Sequence, residues 1–436
     1  MTQLINELFN HCWTQINPFM KNTNIADAIA NVVLEEFAKW PAKRKPLKRS
    51  EGKQEWVPLS GIVAQGRGTF TCLAVATGMK CLPQNKINQA QGNTLHDWHA
   101  EILVIRSFNR FLLEECFALV TAAKTSSDFI RLRNPEEITI SHPQPFAFHH
   151  DLELHMYCSE APCGDASMEL TIAAQEDSTP WNLPSTSKQV RSHQSLLDGR
   201  SYFSQLGTIR RKPSRPDAPP TLSKSCSDKL ALKQCTSLLS SVASIIISPE
   251  NLYIKSLVIP KSQMCESACN RAFSVSGRLA PLKNKILDKP WIGGYQFSPF
   301  LVLPTSLEFT FSRRRELLSS GSLVPSNLAS FSTINGSGTL IGGTLQGRKQ
   351  FSLKGTAPMC KRQLWYLSSK IAGYVRNTST ESLLNAATYF ELKQCDSLIN
   401  RRAIKSMVRG VLGGNLSERG WVPNLGGEEW PLHYSL

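Results

Sequence analysis

No stretch of this chain approaches the ~18 consecutive apolar residues that a membrane span needs. The greasiest segment, around Val242–Ile247, is short and flanked by serine. Met1–Asn10 has no basic start, no apolar core and no small-residue cleavage site, so no secretory leader is expected. No internal repeat is present. Charged residues make up only 19% of the 436 positions and hydrophobic residues 41%, a balance that excludes a disordered chain and supports a sizeable core. The 12 cysteines are scattered, unlike those of a small secreted disulfide scaffold. They point to a cytoplasmic and/or nuclear protein with reduced thiols, some of them free to bind metal.

What the chain does have is positive charge. Lys+Arg number 49 and Asp+Glu 34, so 49 − 34 = +15. A surplus of that size says little about fold, but it points to a polyanionic partner: nucleic acid, a phosphorylated ligand or an acidic membrane surface. The length allows two or three domains of ~100–200 residues, or one large domain with insertions.

Along the chain, Leu4–Trp40 carries helical spacing at Ile25, Ile29, Val32/Val33 and Phe37, and Pro41 stops it. A basic linker follows over Lys43–Lys53, and its Lys43–Arg49 part suits a nuclear-localisation patch and an RNA clamp equally. Two strands, Gly61–Gln65 and Phe70–Thr77, flank a Gly66–Gly68 turn. Asn93–Cys116 reads as the clearest helix, with Thr94 or Asp97 as cap. Leu152–Cys158 reads as a strand leading into a helix over Gly164–Ala173. Gln175–Thr221, rich in Ser, Pro and Arg, reads as a basic insertion. Helix at Cys226–Leu239, strand at Asn251–Ile259 and helix at Ser262–Phe273 follow. Leu307–Phe311 reads as a strand, Ser319–Gly343 as loop, and Arg362–Val375 and Leu383–Val408 as helices. Strands alternating with helices predict an α/β core with a helical C-terminal region.

Three short segments carry the chemistry: His99-Ala100-Glu101, Pro162-Cys163-Gly164-Asp165 and Ser225-Cys226-Ser227-Asp228-Lys229. A hydrolytic zinc site needs three protein ligands and one open position. His99, Cys163 and Cys226 supply one imidazole and two thiolates, all at expected helix starts, where the dipole favours thiolate. Glu101 stands two residues from His99, and i and i+2 do not share a helix face. A metal held there sits off the helix end, within reach of a proton-carrying Glu that does not ligate it. Zinc base deaminases use H-x-E…P-C-x-x-C in this way. Here Cys163 is followed by Gly164-Asp165-Ala166, so the second thiolate comes from elsewhere, and Cys226 opens a later helix.

In that order, HAE, PCGDAS and SCSDK resemble the adenosine deaminases acting on RNA, most closely the tRNA-specific branch of eukaryotic, fungal type. Ala76–Cys81 before HAE and Ala231–Cys235 after SCSDK add to the likeness, which runs from about Gly61 to the C-terminus. The resemblance implies a cytidine-deaminase-like mixed sheet flanked by helices, with residues 1–55 as an N-terminal helical segment and linker and 56–436 as the deaminase domain, the basic insertion lying at about 175–221. It implies His99, Cys163 and Cys226 as ligands of Zn2+, Glu101 as proton shuttle and Lys80 beside the target nucleotide's phosphate. The implied reaction is hydrolysis of adenosine to inosine with release of ammonia. There is no room for double-stranded-RNA-binding domains, which favours tRNA, with the adenosine immediately 3′ of the anticodon of alanine tRNA as target. Related deaminases also bury inositol hexakisphosphate. By position, Arg106, Lys229, Lys361, Tyr389, Lys393 and Trp421 would form its cage. His96, Met79 and Ile105 depart from the mRNA editors, where Asn, Thr and Arg stand, and the segment after Lys229 is shorter.

Blander readings stand beside these. Cys158 at a strand end reads as a small buried hydrophobe. Cys265 and Cys269 share a helix face without further ligands nearby. His155 lies in an alternating strand. Tyr389 and Lys393, four apart on a helix, suit a lysine snorkelling over an aromatic ring. Arg210, Arg211 and Lys212 read either as a solvated insertion or as an RNA-contacting loop at the site mouth. Competing functions are an editor of structured mRNA and a catalytically silent RNA-binding protein whose zinc is structural.

Overall fold

Alternation within the strands sets the architecture. Ile62, Ala64, Ala74, Ala76, Met156, Cys158, Leu257 and Ile259 belong to one buried cluster. Their chain neighbours Val63, Val75, Tyr157 and Val258 belong to another. Successive strand side chains point to opposite faces, so these continuous apolar runs require a sheet covered on both sides.

The computed structural model describes residues 25–47, 54–174, 205–212, 218–282, 291–313, 323–375, 377–413 and 426–433, with 177, 179, 197–198, 421 and 424. Its centre is an eight-stranded mixed sheet. The strands are β1 (Leu59–Gly66), β2 (Thr69–Thr77), β3 (Glu153–Cys158), β4 (Ile254–Pro260), β5 (Leu301–Thr305), β6 (Ala329–Thr333), β7 (Gly336–Ile341) and β8 (Thr344–Leu345). They lie in the order β5-β4-β3-β1-β2-β6-β7-β8. β3, β4 and β5 run parallel to one another, and the remaining pairings are antiparallel. Arg67 and Gly68, both at positive φ (52° and 76°), make the tight β1–β2 turn.

Helix α1 (Ile25–Ala38) covers one face through Ile29, Val33 and Phe37. Gly61 lets it approach: a Cβ there would meet Val33 Cγ2 at 2.4 Å. Residues 25–38, on the N-terminal side of the expected boundary at 55, thus pack directly on the sheet. The expected helical stretch before residue 25 lies outside the described residues, as does most of the 175–221 insertion. Helix α2 (Ala100–Val120) covers the other face with Leu103, Phe108 and Leu112. Beyond it come α3 (Cys226–Thr236), α4 (Glu266–Phe273), α5 (Lys361–Val375), α6 (Tyr389–Gln394) and α7 (Ile399–Gly413). The mixed sheet, flanking helices and helical C-terminal region are those the sequence led us to expect.

Four local expectations fail. Helix α2 begins at Ala100, not Asn93, and neither Thr94 nor Asp97 caps it. Residues 93–98 spend their backbone groups elsewhere: Leu95 N–H donates to Gly343 O at 3.0 Å and Trp98 N–H to Lys80 O at 3.0 Å. Ser319–Gly343 contains two strands of the central sheet, β6 and β7, and a third, Leu323–Pro325, that pairs with Gln54–Trp56. Partners across the sheet decide this, since β6 pairs with β2 and its Ser330 N–H donates to Thr77 Oγ1 at 3.0 Å. Leu307–Phe311 is no strand; Phe309 packs edge-on against Phe37, with centroids 4.9 Å apart. Leu383–Val408 is broken into short helices rather than one.

Candidate metal centre and active site

Two elements carry the candidate ligands to one point. His99 occupies the N-cap position of α2, at the segment that follows the β2 strand end. Cys226 is the first residue of α3, whose cap Ser225 accepts the Asp228 N–H at 3.1 Å. Cys163 sits on the loop after β3. That loop turns at Gly164, whose φ of +106° suits glycine alone, and a Cβ there would lie 2.3 Å from Ser225 Oγ. Ser227 Oγ donates to Pro162 O at 2.9 Å, stitching the two cysteine segments together. The result brings His99, Cys163 and Cys226 ligand atoms within 4.8 Å of one another. Cys163 Sγ lies 3.8 Å from His99 Nδ1 and accepts the Cys226 backbone N–H at 3.3 Å.

One imidazole and two thiolates are a zinc donor set. A hydrogen bond from the Cys226 side chain holds the Cys163 thiol well below its ordinary range, and Lys212 and His99 add to the effect. Glu101 is buried in the first turn of α2. Burial raises its pKa, and the neighbouring Cys163 raises it further, which suits a group that must carry a proton. Cys158 is buried, accepts a hydrogen bond from Ser60 Oγ at 3.4 Å, and is outside this cluster. Cys81 and Asp97 form a second close group with His99. Asp97, however, is already committed to two lysines.

Those lysines, Lys212 buried and Lys229 half-buried, form a chain behind the ligands. Lys212 Nζ donates to Asp97 Oδ2 at 2.9 Å and to Cys226 Sγ at 3.2 Å. Lys229 Nζ also pairs with Asp97 and donates to Ser223 Oγ at 2.7 Å. Burial alone would raise the Asp97 pKa, but Lys212 and Lys229 hold it well below the carboxylate range. This overturns part of the RNA-loop expectation. Lys212 is 5% exposed and Arg210 is fully buried, so neither forms a surface contact. Arg210 N–H donates to Asp228 Oδ2 at 3.0 Å, and its guanidinium reaches Gln205 O. Asp165 and Asp228 lie close enough to attract that buried charge. Arg211 is half-buried in a short ladder with Asp198. Lys80 remains exposed, its Nζ directed at Asn327 Oδ1.

A second basic site adjoins the first. A cavity of about 380 Å³ is lined by Lys393, Arg401, Arg402, Lys405, Arg409 and Trp421, among others. Burial pushes Lys361 down to about 8, with Lys393 and Arg106 adding to it. Lys405 is pushed well down by burial and by Arg409, Lys393 and Arg401. Against these cations stands Glu428, paired with Lys393 and 3.9 Å from Lys361. The buried Nε atoms of Arg106, Arg401 and Arg409 have no acceptor among the described residues. Crowded cations, orphaned donors and open volume fit a compact polyanion. Lys393 and Trp421 line this cavity; Lys361 lies 5.4 Å over the Tyr389 ring beside it. Arg106 gives one guanidinium nitrogen to Met359 O at 2.5 Å, and Lys229 turns to Asp97. Sequence reasoning missed Arg401, Lys405 and Arg409, although their i, i+4, i+8 spacing on α7 marks one basic face. It also missed Asp97 and the inward turn of Lys212, for which no local signal exists.

Comparison with known proteins adds a further observation. Residues 74–408 match the adenosine-deaminase (editase) domain model. The chain is 35% identical to tRNA-specific adenosine deaminase 1 of Schizosaccharomyces pombe, over 94% of this chain and 98% of that one. It is 31% identical to tRNA-specific adenosine deaminase 1 of Saccharomyces cerevisiae, over 63% and 68%. It is 26% identical to the double-stranded RNA-specific editase Adar of Drosophila melanogaster, over 56% of this chain and 35% of that one.

Proposed function

The chain belongs to the adenosine-deaminase (editase) domain family, and we propose that it hydrolyses adenosine to inosine in tRNA at the His99, Cys163, Cys226 and Glu101 centre. The observation that carries this reading is the convergence of those three ligand atoms within 4.8 Å, with Glu101 buried two residues from His99. Two relatives named for tRNA-specific deamination support the substrate class.

Zinc, when bound by His99, Cys163 and Cys226, supplies a Lewis acid that makes water nucleophilic near neutral pH. The protein's own groups do the rest. Glu101 takes a proton from the attacking water and delivers it to N1 of the purine as the oxygen adds at C6. The same carboxylate then takes the remaining proton from the C6 hydroxyl and passes it to the amine, and the C6–N bond breaks to release ammonia and leave the C6 carbonyl of inosine. Lys212, held between Asp97 and Cys226, keeps positive charge beside a thiolate ligand and limits its mobility. The target base must leave its stack, which costs a few kcal/mol in a duplex and less in a loop. An anticodon loop meets that condition, and the adenosine immediately 3′ of the anticodon of alanine tRNA is the proposed target.

The basic cavity is assigned to inositol hexakisphosphate, held by Lys361, Lys393 and Trp421 together with Arg401, Lys405 and Arg409. Incubation of purified protein with alanine tRNA, followed by mapping of inosine, tests the whole reading. Inosine 3′ of the anticodon supports it. Activity on long duplex RNA with none on tRNA rejects it, and absence of activity on both, in protein carrying stoichiometric zinc, returns the silent RNA-binding alternative.

A further inference from the structure

The basic linker at Lys43 is absorbed by neither site described so far. Its first residues fold into a short 3-10 turn, Ala42–Arg44, directly after α1. That turn is fixed to the sheet edge. Ser330 Oγ of β6 donates to Arg44 O at 2.8 Å, and the Arg44 guanidinium reaches Ser337 Oγ of β7. Between the turn and the β7–β8 hairpin runs a groove of about 380 Å³, lined by Lys43, Arg44, Gly338, Thr339, Gln346 and Arg348, with Leu345. Three cations from segments some 300 residues apart in sequence thus meet on one surface, and no carboxylate stands among the lining residues. Lys43 and Arg348 are exposed, and Lys349 and Lys354 continue the basic surface beyond the groove. The lining also offers the Thr339 hydroxyl and the Gln346 amide, both suited to phosphate oxygens.

The groove is mechanically tied to the candidate active site. The Gly342–Gly343 turn of the same hairpin packs on the segment that leads into His99. Gly343 O accepts the Leu95 N–H at 3.0 Å, and a Cβ on Gly343 would lie 2.8 Å from Trp98 Cζ3. Only β6 separates β2, which ends at the site, from β7. At the usual strand spacing that is about 10 Å across the sheet.

We propose that the Lys43–Arg44–Arg348 groove binds the phosphate backbone of the substrate RNA outside the reacting loop, fixing the orientation in which the target adenosine reaches Glu101. The inference rests on the tRNA-deaminase reading above. Phosphate contacts position a nucleic acid without reading its sequence, so the groove contributes affinity and register rather than choice of base. Each such contact also releases counterions on binding.

The test compares the full-length wild type with K43A/R348A, two exposed side chains outside the catalytic machinery. Binding of alanine tRNA is measured over a salt series, and deamination is followed at varied tRNA concentration. The expected result is a tRNA KM raised about tenfold with kcat retained. The log–log salt slope should become shallower by about 1.4–1.8, the amount two phosphate contacts supply. An unchanged salt slope and KM in an active double variant overturn this inference and leave the deaminase reading intact. Wild-type protein that forms no inosine in tRNA fails the deaminase reading instead. In that case the salt slope of binding alone judges the groove.

Discussion

Glu101 is the residue on which the proposed chemistry turns, and its environment makes a direct prediction. It is buried, its pKa is raised first by that burial, and it stands outside the trio of ligand atoms. Glu101→Gln keeps the shape and removes the proton carrier. Inosine formation should fall by at least the ~10²–10⁴ that general acid–base catalysis contributes, with zinc content unchanged by elemental analysis. Asp97 makes a different kind of prediction. Its carboxylate is the partner of two enclosed ammonium groups, Lys212 and Lys229. Asp97→Ala leaves both without it, and breaking a buried pair from one side costs about 3–5 kcal/mol. Denaturant unfolding should show a loss of that order. His99, Glu101 and Cys226 were legible as candidates from HAE and SCS because helix-start residues carry local signals, whereas Cys163 was expected at a helix start and lies instead on a loop before a short 3-10 turn. Asp97 carried a misleading one, since an acid near a helix start reads as a cap.

At the scale of elements, the site depends on the apposition of the Cys163 loop and the start of α3. Gly164 and Ser225 touch where these meet. Gly164→Ala adds a Cβ that would sit 2.3 Å from Ser225 Oγ, on backbone at φ +106°. The two cysteine segments must then separate, and the variant should purify with much less than one zinc per chain and melt at a lower temperature. Zinc at the wild-type level in that variant would show that the loop tolerates the strain. The same scale explains the missed strands β6 and β7. Their serines and glycines have low strand propensity, but antiparallel pairing of β6 with β2 and of β7 with β6 supplies hydrogen bonds that propensity does not foresee. A sheet edge, unlike a helix cap, is decided by distant partners.

For the whole molecule, the net charge of +15 divides between inside and outside. Lys361, Lys405, Arg401 and Arg409 gather around the cavity beneath α7, while Lys43 and Arg348 face solvent. Burial lowers Lys361 to about 8 in the folded protein from the ordinary lysine value of 10.5. Between about pH 8 and 10.5 the unfolded chain therefore holds more protons than the native one, so stability should rise with pH across that window. A bound polyanion keeps these lysines charged and removes the rise. Thermal melts across pH, with and without inositol hexakisphosphate, check both statements. The expected outcome is a higher melting temperature at pH 7 with the ligand and a flatter profile above pH 8. A melting temperature unmoved by the ligand at pH 7 would reject the cavity assignment.

By itself the sequence determined the class of fold and the surplus of positive charge, and it marked out the candidate ligand trio and the candidate proton carrier. Each of these is written in local pattern: alternation within strands, residue types at helix starts, and composition. Tertiary structure alone decided how the charge is used. It turned Lys212 inward to Asp97 and Cys226, buried Arg210 against Asp228, gathered the α7 cations around a cavity, and joined Lys43 to Arg348 across a sheet edge. The physical reason is range. A cap or a strand period is set by neighbours within a few residues, whereas the partner of a lysine is whatever the packed chain places beside it.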